Sequence, residues 1–202
     1  LDRIPLFRLF EELLLIIQGE KEIKLTKTGA LPVKVVFELY EKKILTDDFI
    51  EEGISKLSRE EDSMAIQNTR MLTELSKVVR KLKGKWLLTK ATEKLLETNN
   101  RNELFKKFFQ TYTDKFLWAY NDAYDDEQVG QFAWAFTLIA LKKHGKQEQS
   151  AKFYAGKYAK AFPALIDNIP PGQYSSQKDS FYRCYQIRCL NRFLGWFGFI
   201  EI

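Results

Sequence analysis

The sequence is poor in the residues from which most catalytic and metal sites are built. Its 202 residues include one histidine, His144, and two cysteines, Cys184 and Cys189. The cysteines are five residues apart in a helical pattern, where they face different directions, so we expect no intrachain disulfide. The sequence also has no GxSxG motif, no phosphate-cradling glycine loop and no cluster of metal ligands. We therefore predict that the protein is not an enzyme and needs neither a cofactor nor a metal.

Long hydrophobic runs are missing as well. The best candidate, residues 13–17, is far shorter than the roughly 18 apolar residues of a membrane span, and it lies within a charged helical pattern. The first 18 residues carry acidic side chains and no small-residue cleavage site, so they do not resemble a signal peptide. With so few cysteines, these features predict a cytoplasmic protein without a membrane partner.

Positive charge is concentrated in one stretch. Residues 68–94 contain eight Lys or Arg against two Glu, a net charge of +6 in a chain whose total is +5. The stretch is also amphipathic, because Leu72, Leu75 and Val79 fall on one side of a helical wheel and the cations on the other. One side is therefore suited to packing, whereas the other is free to bind a polyanion.

Apolar periodicity predicts a mainly α protein. The polar segment 98–102 indicates a boundary between a domain of residues 1–100 and an aromatic-rich helical domain of residues 101–202 packed on it. In the first domain we predict helices at 6–19, 32–44, 47–57, 68–83 and 90–97, and strands at 22–27 and 85–89. In the second we predict helices at 103–120, 127–143, 147–161 and 177–193, and a strand near the end of the chain.

Residues 30–97 resemble the winged-helix (winged helix-turn-helix) superfamily. The resemblance is carried by two helices, an amphipathic third helix and the passage KGKWLLTKATEKLL, in which a glycine turn, an apolar strand, a threonine cap and a further helix follow one another. The segment LTKTGALP, residues 25–32, is also similar to one found in bacterial proteins. The resemblance implies that the helix of residues 68–83 corresponds to the recognition helix, and that residues 83–86 lie near the tip of the wing.

The end of the chain repeats part of this plan. Here the sequence predicts a helix followed by Gly195, Trp196 and an apolar strand. This is the same order as the earlier helix, Gly84, Trp86 and strand. The predicted fold is therefore mainly α, with a winged-helix-like N-terminal unit that includes a short β-hairpin, and a C-terminal helical unit. A second, truncated winged-helix-like repeat in the C-terminal unit is the alternative to a simple helical bundle there.

The basic stretch provides the candidate binding site. On one helix face and its adjoining turn, its cations could neutralise a DNA or RNA backbone, whereas Asn68 is the one residue of this helix suited to reading base edges. We therefore predict phosphate contacts without base recognition. The predicted contact residues are Arg70, Lys77, Arg80, Lys81, Lys83 and Lys85. The alternative is a protein interaction or scaffold module in which the basic face is merely solvated.

Three other groups of residues could carry function, but a structural role explains each of them better. Asp122, Asp125, Asp126 and Glu127 could bind a divalent cation, yet helix capping is the more economical explanation. His144 stands at a predicted helix C-terminus, where a positive side chain is favourable. Aromatic side chains of the C-terminal half recur at helical spacing, which favours a core over a ligand pocket, so no small-molecule ligand is predicted. Aromatic residues left on the surface would suit a homodimer interface.

Overall fold

The computed structural model describes residues 1–201, and within them helices predominate over a small antiparallel sheet. This confirms the prediction of a mainly α protein. Within the described residues no helix combines the length and the apolar composition needed to cross a lipid bilayer. The contacts divide the chain into two compact units, residues 1–116 and the residues from Leu117 onward.

Unit 1 combines six helices with a three-stranded sheet in the order β1-β3-β2, in which both strand pairs are antiparallel. A 3₁₀ turn, Glu60–Asp62, precedes α4. The elements are α1 (Pro5–Glu20), β1 (Ile23–Lys24), α2 (Val33–Glu41), α3 (Asp48–Glu51), α4 (Met64–Leu75), β2 (Val79–Leu82), β3 (Lys85–Leu88), α5 (Lys90–Glu97) and α6 (Arg101–Asp114).

Helix α1 is the centre of unit 1. Pro5 occupies its first turn, where a missing N–H is tolerated, and eight apolar side chains of the helix are buried. The helix packs on α2, α4 and β3. The rings of Phe7 and Phe10 also lie 5.4 and 5.0 Å, centroid to centroid, from the ring of Phe108 in α6. Because Phe108 completes this core, α6 belongs to unit 1, and the division of the chain falls after α6 rather than at residue 100.

The segment predicted as one helix over residues 68–83 is instead divided between a helix and a strand. Helix α4 ends at Leu75, and Lys77 adopts a left-handed φ of 56° that turns the chain. Residues 79–82 then form β2. The β-branched pair Val78-Val79 favours extended backbone, and pairing with β3 satisfies the backbone groups that a continued helix would have satisfied locally. Helix α4 also begins earlier than predicted, with Ser63 as its N-cap.

The helix predicted over residues 47–57 is also shorter than expected. Asp47 caps this helix, because its side chain accepts a hydrogen bond from the backbone N–H of Phe49, at 3.1 Å. The helix ends after one turn, however, and Gly53 follows with a left-handed φ of 73°. Residues 52–59 then lead to the 3₁₀ turn without further helix.

Unit 2 has α8 at its centre, in contact with α7, α9 and the helix that continues α9. Tyr158 of α8 lies 4.8 Å from Tyr185, centroid to centroid, and both rings are fully buried. The elements are α7 (Trp134–His144), α8 (Ala151–Ala161), a 3₁₀ turn (Pro163–Ile166), α9 (Gln177–Tyr185) and a π-helix (Gln186–Gly195). Residues 127–133, predicted as the start of α7, form turns.

The π-helix is a feature that the sequence did not indicate. It brings Arg188 and Cys189 so close to Gly130 that a Cβ added there would lie 3.1 Å from Arg188 Cβ and 3.0 Å from Cys189 Sγ. The strand predicted after Trp196 does not form, since residues 196–201 are turns and irregular chain. Within residues 117–201 there is therefore no counterpart of the hairpin in unit 1, and the described part of the chain does not support the alternative of a second, truncated winged-helix-like repeat.

Candidate nucleic-acid interface

The basic stretch forms a tight hairpin. Leu82 pairs with Lys85, so the connection between β2 and β3 consists of Lys83 and Gly84 alone. Both residues have positive φ, 50° and 75°, as a type I′ turn requires. Leu25 N–H donates to the carbonyl of Gly84 at 2.9 Å, which holds the turn beside the end of β1.

The register gives the sheet one buried and one open face. Val79, Trp86 and Leu88 are buried, and Ile23 of β1 pairs with Trp86 on the same face. Alternation along the strands places Arg80 and Leu82 of β2 on the opposite face. Leu82 is 51% exposed there, so this face lies open to solvent.

The open face carries a row of cations. Directly paired residues in antiparallel strands share a face, so Lys24, which pairs with Lys85, joins Lys85 and Arg80. Lys85 forms an ion pair with Glu22, whereas Lys24 and Arg80 form none with any residue of 1–201. Lys24 was not among the predicted contact residues. Only the strand register brings it to this row, because it lies far from the basic stretch in sequence.

The three remaining lysines of the predicted site do not belong to this row. Lys83 is exposed at the turn, and Lys77 is exposed between α4 and β2. Lys81 points toward the loop after β1, where a Cβ built on Gly29 would lie 3.6 Å from Lys81 Nζ. In the part of the chain that the structure describes, none of these three lysines forms an ion pair.

Arg70 is separated from the other five predicted contact residues. It lies on α4, its side chain is 18% exposed, and its Nε donates to Glu60 Oε1 at 2.5 Å. A second nitrogen lies 3.3 Å from the carboxylate of Glu74. The backbone N–H of Leu31 also donates to Glu60, at 2.7 Å. Glu60 therefore links Arg70 of α4 to the backbone just before α2, and the charge of Arg70 is already compensated.

Helix α4 offers little to a nucleic acid. Its residues 65–69 are buried, and Asn68, the one residue predicted as suited to base edges, is 1% exposed. The accessible strip of the helix consists of Arg70, Met71, Glu74 and Leu75. This strip contains an exposed carboxylate and a compensated arginine, so it cannot attract phosphate. The hairpin, rather than the helix, is the candidate interface.

Comparison with protein families identifies the unit that carries this hairpin. The family model of the Y4jL N-terminal domain matches residues 2–102, half of the chain. The chain belongs to the Y4jL N-terminal domain family. Searches of curated proteins and of solved structures found no match. The Y4jL N-terminal domain includes the whole sheet, helices α1–α5 and the first residues of α6.

Beyond the Y4jL N-terminal domain, the acidic segment of residues 122–126 in unit 2 accepts hydrogen bonds from a buried arginine. Arg188 is completely buried, and two of its nitrogens donate to the Asp122 carboxylate, at 2.5 and 3.2 Å. The third nitrogen donates to the carbonyl of Val129 at 3.0 Å, and one of the two nitrogens bound to Asp122 also donates to the carbonyl of Asp126 at 2.7 Å. Asp126 also accepts from the backbone N–H of Val129. These carboxylates neither cap α7 nor, within residues 1–201, form part of a group that could hold a metal ion.

The cysteines and the histidine lie outside the Y4jL N-terminal domain as well. Cys184 and Cys189 are both buried and unpaired with each other, as predicted. Burial raises the pKa of the Cys184 thiol to about 12, which suppresses the thiolate needed for nucleophilic chemistry. His144 occupies the last turn of α7, where its ring lies edge-on to Phe153 at 5.2 Å. Burial and the neighbouring Lys157 and Lys143 lower its pKa, so its ring is more often neutral than an exposed histidine would be.

Proposed function

We propose that the Y4jL N-terminal domain of this protein is a winged-helix-like module that contacts nucleic-acid phosphates through the hairpin β2–β3, without enzymatic activity. The element order supports the fold assignment, because helix, strand, helix, helix and two further strands succeed one another apart from the short α3. The sheet order β1-β3-β2 adds to this support. On this interpretation α4 occupies the place of the recognition helix and the hairpin is the wing.

One observation carries the proposal. The hairpin presents Arg80, Lys81 and Lys83 outside any ion pair within residues 1–201, and Lys24 extends the row on the open face. Uncompensated cations on a projecting element gain most from a polyanion, because bound phosphates release their condensed counterions. Lys85 would contribute less, since its charge is shared with Glu22.

The same geometry argues for positioning on a backbone rather than for reading a sequence. Base edges are read by amide or guanidinium groups that reach into a groove, and the residues suited to this on α4, Gln67 and Asn68, are buried. The affinity should therefore vary little with sequence. It should fall steeply with salt, by about 0.9 logarithmic units per tenfold increase for each phosphate contacted on duplex DNA.

The test is binding of the full chain to fluorescent duplexes of random sequence, DNA in one arm and RNA in the other, over a range of salt concentrations. The double variant Arg80→Glu, Lys83→Glu should weaken binding by about tenfold or more at low salt, since two contacts become repulsive. The matched control Lys106→Glu, Lys107→Glu makes the same charge change on exposed residues of α6. Absence of binding by the wild type, or an equal loss in the control, contradicts the proposal.

A protein interaction module is the second candidate. It is favoured by apolar side chains left in solvent on two helices of unit 1: Val33 and Phe37 on α2, at 46% and 41% exposure, and Phe49 on α3, at 63%. Aromatic and aliphatic side chains of this kind are enriched at protein interfaces. A solution mass that stays at one chain over a wide concentration range would count against a homodimer built on them.

A further inference from the structure

Unit 2 contains a pocket of 440 Å³ that is lined by the start of α8, the turn before α9 and one side of α9. Its volume falls within the range of pockets that hold small ligands, roughly 300 to 1,000 Å³. It lies wholly outside the hairpin unit and involves none of the residues proposed to contact nucleic acid. The side chains that give it chemical character are Lys152, Tyr174, Asp179, Tyr182, Arg183 and Gln186.

Two cations from different helices converge on this pocket. Lys152 lies in the first turn of α8 and Arg183 in α9, and both are exposed. Neither forms an ion pair with any described residue of the chain. Both line the same pocket as the carboxylate of Asp179. The hydrogen bond from Ser176 is the main cause that lowers the pKa of Asp179, and Lys152 and Arg183 add to it. The lining of the pocket therefore includes two cationic side chains, Lys152 and Arg183, and one carboxylate, Asp179.

The carboxylate of Asp179 is held locally rather than by the cations. Ser176 Oγ donates to Asp179 Oδ2 at 2.6 Å, and the backbone N–H of Asp179 donates back to Ser176 Oγ at 3.1 Å. This capping arrangement satisfies Asp179 within the first turn of α9. The guanidinium of Arg183 and the ammonium of Lys152 thus keep their donors for a group that enters the pocket.

Two tyrosines contribute to the lining of the pocket. Tyr174 projects from the turn before α9 and is 92% exposed, and Tyr182 lines the pocket from α9 itself. A tyrosine ring left almost entirely in water has apolar surface that a planar ligand could cover. Gln186 adds an amide that can both donate and accept, and within residues 1–201 no hydrogen bond occupies its side chain.

We infer that this pocket binds a small phosphorylated molecule with a planar aromatic group, of the nucleoside monophosphate class. Arg183 and Lys152 hold the phosphate. The guanidinium of Arg183 supplies a paired set of N–H donors, and the ammonium of Lys152 supplies a point charge. Tyr174 and Tyr182 pack against the aromatic group. Asp179 opposes the phosphate and thereby limits its affinity.

The test uses the full chain and two probes, adenosine monophosphate and inorganic phosphate, by isothermal titration calorimetry. The nucleotide should bind more tightly than phosphate, because only the nucleotide engages the tyrosines. Lys152→Gln and Arg183→Gln should each weaken nucleotide binding by about tenfold, the value of one charge-assisted hydrogen bond. Lys160→Gln removes an exposed charge from the opposite end of α8 and should leave binding unchanged.

Two further variants separate binding from folding. Asp179→Asn keeps an acceptor for Ser176 but removes the opposing charge, so it should tighten the binding of both probes, a gain that misfolding cannot produce. Tyr174→Ala should weaken binding of the nucleotide while leaving that of inorganic phosphate unchanged. Failure of the wild type to bind either probe at millimolar concentration overturns the inference. So does an equal effect of Lys160→Gln, or an Asp179→Asn variant that binds no more tightly.

The outcome is independent of the proposed nucleic-acid contact. Charge reversal at Arg80 and Lys83 leaves every residue of the pocket in place, so the duplex experiment and the calorimetry can fail separately. A nucleotide that binds normally to the hairpin variant, and a duplex that binds normally to Arg183→Gln, would show two distinct sites.

Discussion

Arg70 and Arg80 have the same side chain but opposite surroundings. Arg70 lies against the buried carboxylate of Glu60, whereas Arg80 stands on the open face of the sheet. A count of charges along the sequence places both in one basic face. Only the position of Glu60, ten residues before Arg70 and in contact with it, shows that the charge of Arg70 is compensated within the domain.

Glu60 is unusual among the carboxylates of unit 1 because it is almost fully buried, at 2% exposure. Burial raises its pKa above the ordinary value, although the Leu31 N–H and Arg70 both oppose the rise. Protonated Glu60 is therefore favoured in the folded state relative to the unfolded chain. Its contribution to stability is complete below the ordinary pKa of glutamate and is lost as the pH rises through the raised value.

We predict a corresponding pH dependence for the variant Glu60→Gln. The difference in unfolding free energy, wild type minus variant, should be most favourable to the wild type near pH 4 and should shrink as the pH rises toward 7. The other carboxylates titrate in both proteins, so their effects cancel in this difference. Urea unfolding at several pH values measures it. A difference that grows as the pH rises would show instead that the ion pair with Arg70 outweighs burial.

At the scale of elements, the hairpin turn shows which glycines matter and why. Gly84 has a φ of 75°, yet no atom lies within 4 Å of the position that a Cβ would occupy. Glycine is therefore favoured at this position by the backbone conformation and not by lack of space. Lys83 adopts a φ of 50° without being glycine. Gly19 has the same open surroundings but lies within the α1 helix.

These three positions give a matched set of substitutions. Gly84→Ala should destabilise the domain by about 1 kcal/mol, because an L-residue is strained at positive φ. Gly19→Ala, with equal space but helical backbone, should be neutral or stabilising by up to about 1 kcal/mol. Lys83→Asn should stabilise, since asparagine tolerates the left-handed region. Chemical denaturation measures all three, and a loss at Gly19 equal to that at Gly84 would refute the conformational explanation.

The elements that the sequence predicted well are those whose signals are local. Helix α1 follows from apolar spacing that begins after Pro5, and α5 follows from Thr89, whose side chain accepts a hydrogen bond from the Thr92 N–H. Strand β3 was predicted at nearly its observed position. Strand β2 was missed, because Val79 and Leu82 are spaced as well for a helix face as for a strand, and the strand exists only through its partner.

At the scale of the whole molecule, the chain divides into two compact units. Unit 1 buries α1 against α2, α4, the sheet and α6. Unit 2 is built around Tyr158 and Tyr185. The candidate hairpin and the proposed phosphate pocket lie in different units, so each can be studied without disturbing the core that supports the other.

We predict that residues 1–116 fold when they are expressed without the rest of the chain. This segment keeps Phe108 and α6, which complete the core around α1, and it contains Trp86 as its one tryptophan. A single cooperative urea transition followed by Trp86 fluorescence is expected. A shorter segment ending at residue 100 lacks α6 and should lose this cooperativity. A gradual, non-cooperative change in the 1–116 segment would contradict the division into units.

The sequence by itself determined the helical class, the central helix α1, the glycine turn at residue 84 and the concentration of positive charge around it. These depend on periodicity, turn conformation and composition, which act within a few residues. The tertiary structure alone decided that the charge lies on a hairpin instead of a helix, that Arg70 is compensated, that Lys24 joins the row, and that Lys152 and Arg183 share a pocket. Each of these results depends on strand register, burial or convergence of segments distant in the chain, and such pairings leave no local pattern in the sequence.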